Sequence, residues 1–286
     1  MKINKDTNFL IIGLGLMGGS YASALSKQGY KVYAITLNQS DIDYAIEKNM
    51  IISGTTDVDP ELIGKANVLI SALYPSTFIE WIEKYQHLLS PGTIITDVSG
   101  VKKTIVDKIQ SILRSDVEFI PAHPMAGREK SGIEFSDDGV FKGANYIVTP
   151  TERNTKEAIN ACRSLGEILG FSRISKLSVE EHDEMIAFLS QLTHCIAVTL
   201  MTCNDKEGME KYTGDSFRDL TRIAKINDLM WSELFLLNRD ALLEQMDKFS
   251  AEFNKFRTYL KNGDREEMRR LMREATVKRS KFDKKI

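Results

Sequence analysis

Phe9-Leu10-Ile11-Ile12-Gly13-Leu14-Gly15-Leu16-Met17-Gly18 is the stretch whose reading decides the fold. An apolar run meets a G-x-G-x-x-G turn, and a segment of small residues continues to Gln28. In such a turn the first glycine permits the tight bend. The second lets backbone approach a pyrophosphate, and the third lets helix and strand pack closely. The helix N-terminus adds free N–H groups and the positive end of a dipole. The alternative is a glycine-rich turn without ligand, but strand, spacing and helix all agree here. The expectation is a dinucleotide site built from Gly13, Leu14, Gly15, Leu16, Met17 and Gly18. Thr36 and Ala72, at the ends of the next apolar runs, join it. After Lys31–Ile35 stands Thr36-Leu37-Asn38, with neither an acid for the ribose hydroxyls nor an arginine for a 2′-phosphate. The cofactor is therefore NAD or NADP, with the preference open.

Working outward, short β-rich runs alternate with helical stretches through the first half. The further runs are Asn67–Leu73, Thr93–Ser99, and two more within EFIPAHP and ANYIVTP. That alternation predicts a parallel sheet covered on both faces. From Ser178 onward only helical patterns appear, among them Phe217–Ala224, Leu229–Phe253 and Asp264–Ala275. The expected division is an α/β Rossmann-type dinucleotide-binding domain, 1–177, and an all-α domain, 178–286. The segment from Glu180 to Cys203 reads as one helix, apolar nearly all round, which suits a dimer core.

The chain has 286 residues, long enough for one large domain or two. Its 38 basic and 40 acidic residues leave a net charge of −2, so no global field draws it to nucleic acid or a membrane. No apolar run of transmembrane length and no signal peptide are expected, and a cytoplasmic location fits three cysteines without a C-x-x-C pair. Cys162, Cys195 and Cys203 read as packing residues. The last 26 residues carry ten Lys/Arg against five Asp/Glu and read as a solvated terminal helix.

Three constellations carry chemistry. His123, in Pro121-Ala122-His123-Pro124, is expected just past a strand end, where open parallel sheets bind ligands. An imidazole there suits proton abstraction from an alcohol, against the alternative of a structural histidine beside proline. Ser190 and His194 stand four apart on the long helix and need a polar partner, either a ligand or a neighbouring helix. His182, twelve residues before His194, is expected on another face, and no metal set surrounds it. Arg218 and Arg222 stand one turn apart, Asp219 three before Arg222. The choice is a fixed fork for a substrate carboxylate or a surface ion-pair ladder.

Together GLGLMGGS, TDVSGVK, HPMAGREKSG, HD with SQLTH after it, FRDLTRIA and MW run in one order over nearly the whole chain. In this the sequence resembles the prephenate/arogenate dehydrogenases of tyrosine biosynthesis. The resemblance implies a Rossmann-type domain plus a helical dimerisation domain, hence a homodimer. It implies NAD(P)-dependent oxidative decarboxylation of a small-molecule substrate, prephenate, to 4-hydroxyphenylpyruvate. His123 would handle the hydroxyl proton. Ser190 and His194 would contact the substrate, Arg222 would bind a carboxylate, and Glu129, Asp219 and Trp231 would surround the site. Three departures stand out. Gly100 takes the place of a family serine, with Ser99 one residue earlier as a catalytic substitute. Gln191 and Thr193 replace a histidine and a proline, and Asp215 replaces a glycine. The rival readings are an arogenate dehydrogenase, a β-hydroxyacid-type dehydrogenase (disfavoured, since no lysine lies between Ser178 and Asn204) and a non-catalytic dinucleotide sensor or dimer scaffold.

Overall fold

Strands β1 (Asn8–Ile12), β2 (Lys31–Ile35), β3 (Ser53–Thr55), β4 (Val68–Ser71), β5 (Ile94–Asp97) and β6 (Glu118–Phe119) form one sheet, ordered β3-β2-β1-β4-β5-β6. The structure is a computed structural model that describes residues 2–127 and 130–283. Every pairing in this sheet is parallel. The connections are α1 (Leu16–Lys27), α2 (Gln39–Glu47), α3 (Pro60–Gly64), α4 (Pro75–Tyr85) and α5 (Lys103–Ile112). Alternate side chains of β1 feed opposite faces. Phe9 and Ile11 pack with Tyr21 and Leu25, whereas Leu10 and Ile12 pack with Phe78 and Ile105. Burial on both faces is why the run is apolar throughout. Strand order reverses between β1 and β4, so a crevice opens beyond their carboxyl ends.

The single parallel sheet expected from the sequence is corrected to two sheets. β7 (Ala122–Met125), β8 (Asn145–Val148) and β9 (Arg173–Lys176) form a second one, with β7 antiparallel to β8 and β8 parallel to β9. EFIPAHP is not one strand. The Ile120 N–H still bonds Ile95 O at 2.9 Å, but Pro121 has no N–H to continue the ladder. The chain therefore leaves the first sheet and starts the second. Pro124 is tolerated because β7 is an edge strand. α6 (Lys156–Ile168), capped by the Thr155 hydroxyl, links β8 to β9.

Helices follow: α7 (Val179–Ile186), a π-helical turn Ala187–Leu192, α8 (Thr193–Thr202), α9 (Asp215–Thr221), a 3₁₀ turn Arg222–Ala224, and α10 (Asp228–Leu237). Ser178 and Glu181 make a reciprocal capping box that starts α7. The expected uniform helix is thus interrupted by a wide turn. The predicted helix Leu229–Phe253 is likewise broken at Asn238, whose buried amide donates to Asp183 O at 2.9 Å and to Gln191 Oε1 at 2.7 Å. Among the described residues, Val179–Thr202 is long and apolar enough to cross a membrane by length and composition, which corrects the expectation of no such run. Its acidic first turn obscured this in the sequence. That turn buries His182 and Asp183.

By contacts the chain divides into two compact units, Met1–Arg239 and Asp240–Ile286. The second holds most of α11 (Arg239–Asn262) and all of α12 (Arg265–Arg279), joined at Gly263 and Asp264; Asp264 caps α12. The cysteines are not alike: Cys162 is buried, Cys195 intermediate and Cys203 exposed, so packing does not explain all three.

Candidate active site

The glycine loop lies at the point where strand order reverses, and each glycine has a separate geometric reason. Gly13 has φ +93°, and a Cβ there would stand 2.9 Å from Ala72 O. A Cβ on Gly18 would fall 1.9 Å from Gly13 O, so only glycine lets α1 pack against the turn. Gly15 differs, since a Cβ there would meet no atom within 4 Å. Space stays open beside the Gly15 backbone, as close approach to a pyrophosphate requires. No side chain caps α1 at Gly15, and its first turn holds no acid, which leaves its positive end for an anion. This fits the pyrophosphate of a dinucleotide. Leu14 N–H points to Thr36 Oγ1 at 3.4 Å, which ties the loop to the end of β2. Gly19 is a fourth requirement that the motif did not reveal. Its Cβ would sit 2.8 Å from Ser136 Cβ, in the segment that docks on α1 through Asp137 N–H to Ser20 Oγ at 3.0 Å.

His123 lies within β7 and not past a strand end, opposite Ile147. It is still held at the carboxyl edge of the parallel sheet. Asp97, the last residue of β5, accepts from Ala122 N–H at 3.2 Å and from Ser99 N–H at 3.1 Å. The same carboxylate pairs with Lys102 Nζ at 2.7 Å, both side chains fully buried. His123 Nδ1 lies 2.9 Å from His182 Nε2, and His182 Nδ1 lies 2.7 Å from Asp183 Oδ1. Asp183 also accepts the Lys102 and Lys103 N–H groups at 2.9 and 2.8 Å, which caps α5 from α7. Burial holds the His123 imidazole well below its ordinary pKa, aided by His182 and the Lys102 ammonium. Burial also lowers His182, against the opposing pull of Asp183. Both rings are neutral at pH 7.

A Cβ on Gly100 would stand 3.9 Å from His123 Nε2 and 3.6 Å from Leu234 Cδ1. Gly100, and not Ser99, therefore confronts the outer nitrogen of His123. Ser99 Oγ is buried and has no hydrogen-bond partner among the described residues.

The second cluster sits on the helices. His194 Nδ1 bonds Ser190 O at 2.8 Å. A carbonyl only accepts, so Nδ1 carries the proton. Ser190 and His194 are expected to share a helical face toward a ligand or a neighbouring helix; Ser190 lies within the π-helical turn and meets His194 through its carbonyl. The His194 ring stacks on Trp231 of α10 at 3.7 Å between centroids. Trp231 is half-buried and faces His194, so it is not a core residue. Gln191 is buried, with its amide donating to Leu234 O at 2.8 Å. The residue that replaces a family histidine thus braces α10. The turn that begins at Arg222 packs against α8, and Arg222 and Asp219 are both exposed. Arg218 bonds Asp215 at 2.9 Å and Thr213 O at 3.0 Å, an exposed local ladder. Glu129 lies outside the described residues. Lys130 is exposed, with its ammonium 4.6 Å from the centre of the Phe135 ring.

Sequence reasoning missed His182 and Asp183 as site residues. A signal was present: Val179, His182, Asp183 and Ile186 form the i, i+3, i+4, i+7 stripe that α7 buries, so two polar residues stood on an apolar stripe.

Two family models match. Residues 21–172 match the prephenate dehydrogenase nucleotide-binding domain, and residues 178–274 the prephenate dehydrogenase dimerization domain. A prephenate dehydrogenase of Bacillus subtilis is 30% identical over 282 residues, which span 96% of this chain and 76% of that protein. A prephenate dehydrogenase of Aquifex aeolicus, solved with hydroxyphenyl propionate and NAD+, superposes with a TM-score of 0.90 at 30% identity, covering 97% of this chain and 98% of that one. An arogenate dehydrogenase of Synechocystis superposes with a TM-score of 0.83 at 26% identity, covering 97% and 100%.

Proposed function

The chain belongs to the prephenate dehydrogenase family, and from that premise we propose that this oxidoreductase converts prephenate to 4-hydroxyphenylpyruvate and carbon dioxide with NAD or NADP. The nicotinamide, when bound, supplies the hydride acceptor for the ring carbon that bears the hydroxyl. His123 Nε2 takes the hydroxyl proton as that carbon becomes carbonyl-like. Loss of the ring carboxylate as carbon dioxide aromatises the ring, and His123 returns the proton to the phenolate oxygen. No net proton is released, so the imidazole must begin and end neutral. Its depressed pKa favours that state.

Ser99, with its buried unpaired hydroxyl, is the second polar group of the reacting end. Arg222 takes a substrate carboxylate, a role suited to its planar fork. Ser190, His194 and Trp231 form the wall for the side chain, and Asp219 flanks it; Glu129 is assigned to the same site by the family motif alone. Gly13, Leu14, Gly15, Leu16, Met17, Gly18, Thr36 and Ala72 hold the dinucleotide. We place the functional boundary at 177/178. The enzyme works as a cytoplasmic homodimer, without nucleic acid or membrane. The exposed apolar residues Phe188, Leu189, Leu229 and Leu236 support a second copy covering the helices.

The observation that carries this reading is His123 at the carboxyl edge of β5, anchored by Asp97 through Ala122 N–H. Arogenate, with an amino group in place of the side-chain keto oxygen, is the second reading, favoured by the likeness to the Synechocystis enzyme. The test follows reduced nicotinamide by absorbance with each substrate and each cofactor. Reduction with prephenate supports the proposal, and reduction with arogenate alone supports the second reading. No reduction with either, by folded protein that binds nucleotide, overturns both.

A further inference from the structure

The Asp183–His182–His123 chain ends on the atom that the proposed function uses, and its polarity follows from which groups are able to donate. Asp183 already accepts two backbone N–H groups, from Lys102 at 2.9 Å and Lys103 at 2.8 Å. It stands toward His182 as an acceptor as well, so the contact at 2.7 Å requires the proton on His182 Nδ1. His182 Nε2 and His123 Nδ1 are 2.9 Å apart and share one proton. Two N–H groups facing each other at that distance would repel, and two lone pairs would make no bond. With the His182 proton on Nδ1 and the ring neutral, Nε2 holds a lone pair, so His123 Nδ1 donates.

We propose that His182 and Asp183 are positioning residues that fix His123 as its Nδ1–H tautomer, which presents the Nε2 lone pair toward the gap beside Gly100. This rests on the reading of His123 as the group that takes the hydroxyl proton. A neutral imidazole in the other tautomer would offer a donor at Nε2 and could not take that proton. His182 is fully buried on α7, whereas His123 lies on β7, so the relay also fixes the ring across two elements. The position of Gly100 strengthens the assignment. It brings no side chain to the outer side of His123, and among the described residues the hydrogen bond to the ring comes from His182.

The test reads nitrogen-15 chemical shifts and couplings of the imidazoles in the full chain, assigned with His123→Asn and His182→Gln. The expected result in the unaltered protein is His123 and His182 both protonated at Nδ1. His182→Leu should leave His123 as a tautomer mixture and lower kcat about 10- to 100-fold, as loss of an orienting partner does, with KM nearly unchanged. His182→Gln, which keeps an acceptor oxygen near the Nε2 position, should recover most of the rate. An Nε2–H tautomer of His123 in the unaltered protein would overturn the proposal, as would an unchanged tautomer and kcat in His182→Leu. Should either variant fail to fold, the spectrum of the unaltered protein decides alone. That spectrum makes no reference to turnover, whereas turnover of His123→Asn tests the underlying reading, so the two failures are distinguishable.

Discussion

The His123 ring meets the His182 ring edge-on, with Nδ1 2.9 Å from Nε2, although one sits on a strand of the second sheet and the other on the first helix of the helical region. The contact joins a strand of the α/β part to the segment that begins the helices. Both rings are held below the ordinary imidazole pKa, with burial the first cause.

Stability should therefore fall as pH drops. In the unfolded chain these imidazoles take protons near the ordinary value of about 6.5, whereas in the native state they do so only at lower pH. Across that window the unfolded state binds more protons, so stability rises with pH and is lost on acidification. Burial first, and the Lys102 ammonium after it, oppose protonation of both rings, and at His182 Asp183 and Asp97 offset the two only in part. Urea midpoints measured between about pH 7.5 and 5.5 should decline, and His123→Asn should flatten the decline. A flat profile in the unaltered protein would contradict the assignment.

The Lys102–Asp97 pair should matter more than any surface pair. Both side chains are fully buried at 2.7 Å. Lys102→Met strands the Asp97 carboxylate and should cost about 3–5 kcal/mol in denaturant unfolding. Lys103→Met removes an exposed pair with Asp107 and should cost under about 1 kcal/mol. Equal costs would mean that the buried pair is not the strut we describe.

Gly15→Val should fold, because a Cβ at that position meets nothing within 4 Å. It should weaken NAD(P) binding at least about tenfold, or ~1.4 kcal/mol, read by quenching of intrinsic fluorescence. Gly18→Val should fail earlier, by misfolding, since its Cβ would lie 1.9 Å from Gly13 O. Unchanged nucleotide affinity in folded Gly15→Val would move the cofactor elsewhere.

The glycine loop was legible because its requirements are local: turn, approach and packing fall within six residues. His123 was legible as a type, but its strand was not. Pairing of β7 with β8 is a long-range antiparallel contact, and the break at Pro121 is visible only when Ile120 is seen bonded to β5. The sequence places His182 on another face from His194 and gives it no role, although it occupies the buried stripe with Val179 and Ile186. The π-helical turn left no mark in the pattern of apolar residues. Ser190 lies in that turn, and its carbonyl accepts from His194 Nδ1. Gln191 looked like a loss of site chemistry; burial against Leu234 O and Asn238 gives it a structural role.

The arginines of the α9 region should separate by function. Arg218 is committed to Asp215 and Thr213 O, and Arg218→Ala should change substrate KM little. Arg222→Ala should raise KM roughly 30-fold, about 2 kcal/mol, within the range for a stranded charge partner. Arg222→Lys should recover only part, because an ammonium lacks the fork. Steady-state kinetics with the reverse order of severity would remove the substrate carboxylate from Arg222.

The central claim is that His123 takes and returns the hydroxyl proton. The most direct measurement is turnover of His123→Asn with prephenate and saturating cofactor, beside cofactor affinity and melting temperature. We expect kcat to fall by about 10²–10⁴, while KM, nucleotide affinity and the fold are retained. Turnover at the unaltered rate in a folded, nucleotide-binding His123→Asn protein would contradict the account.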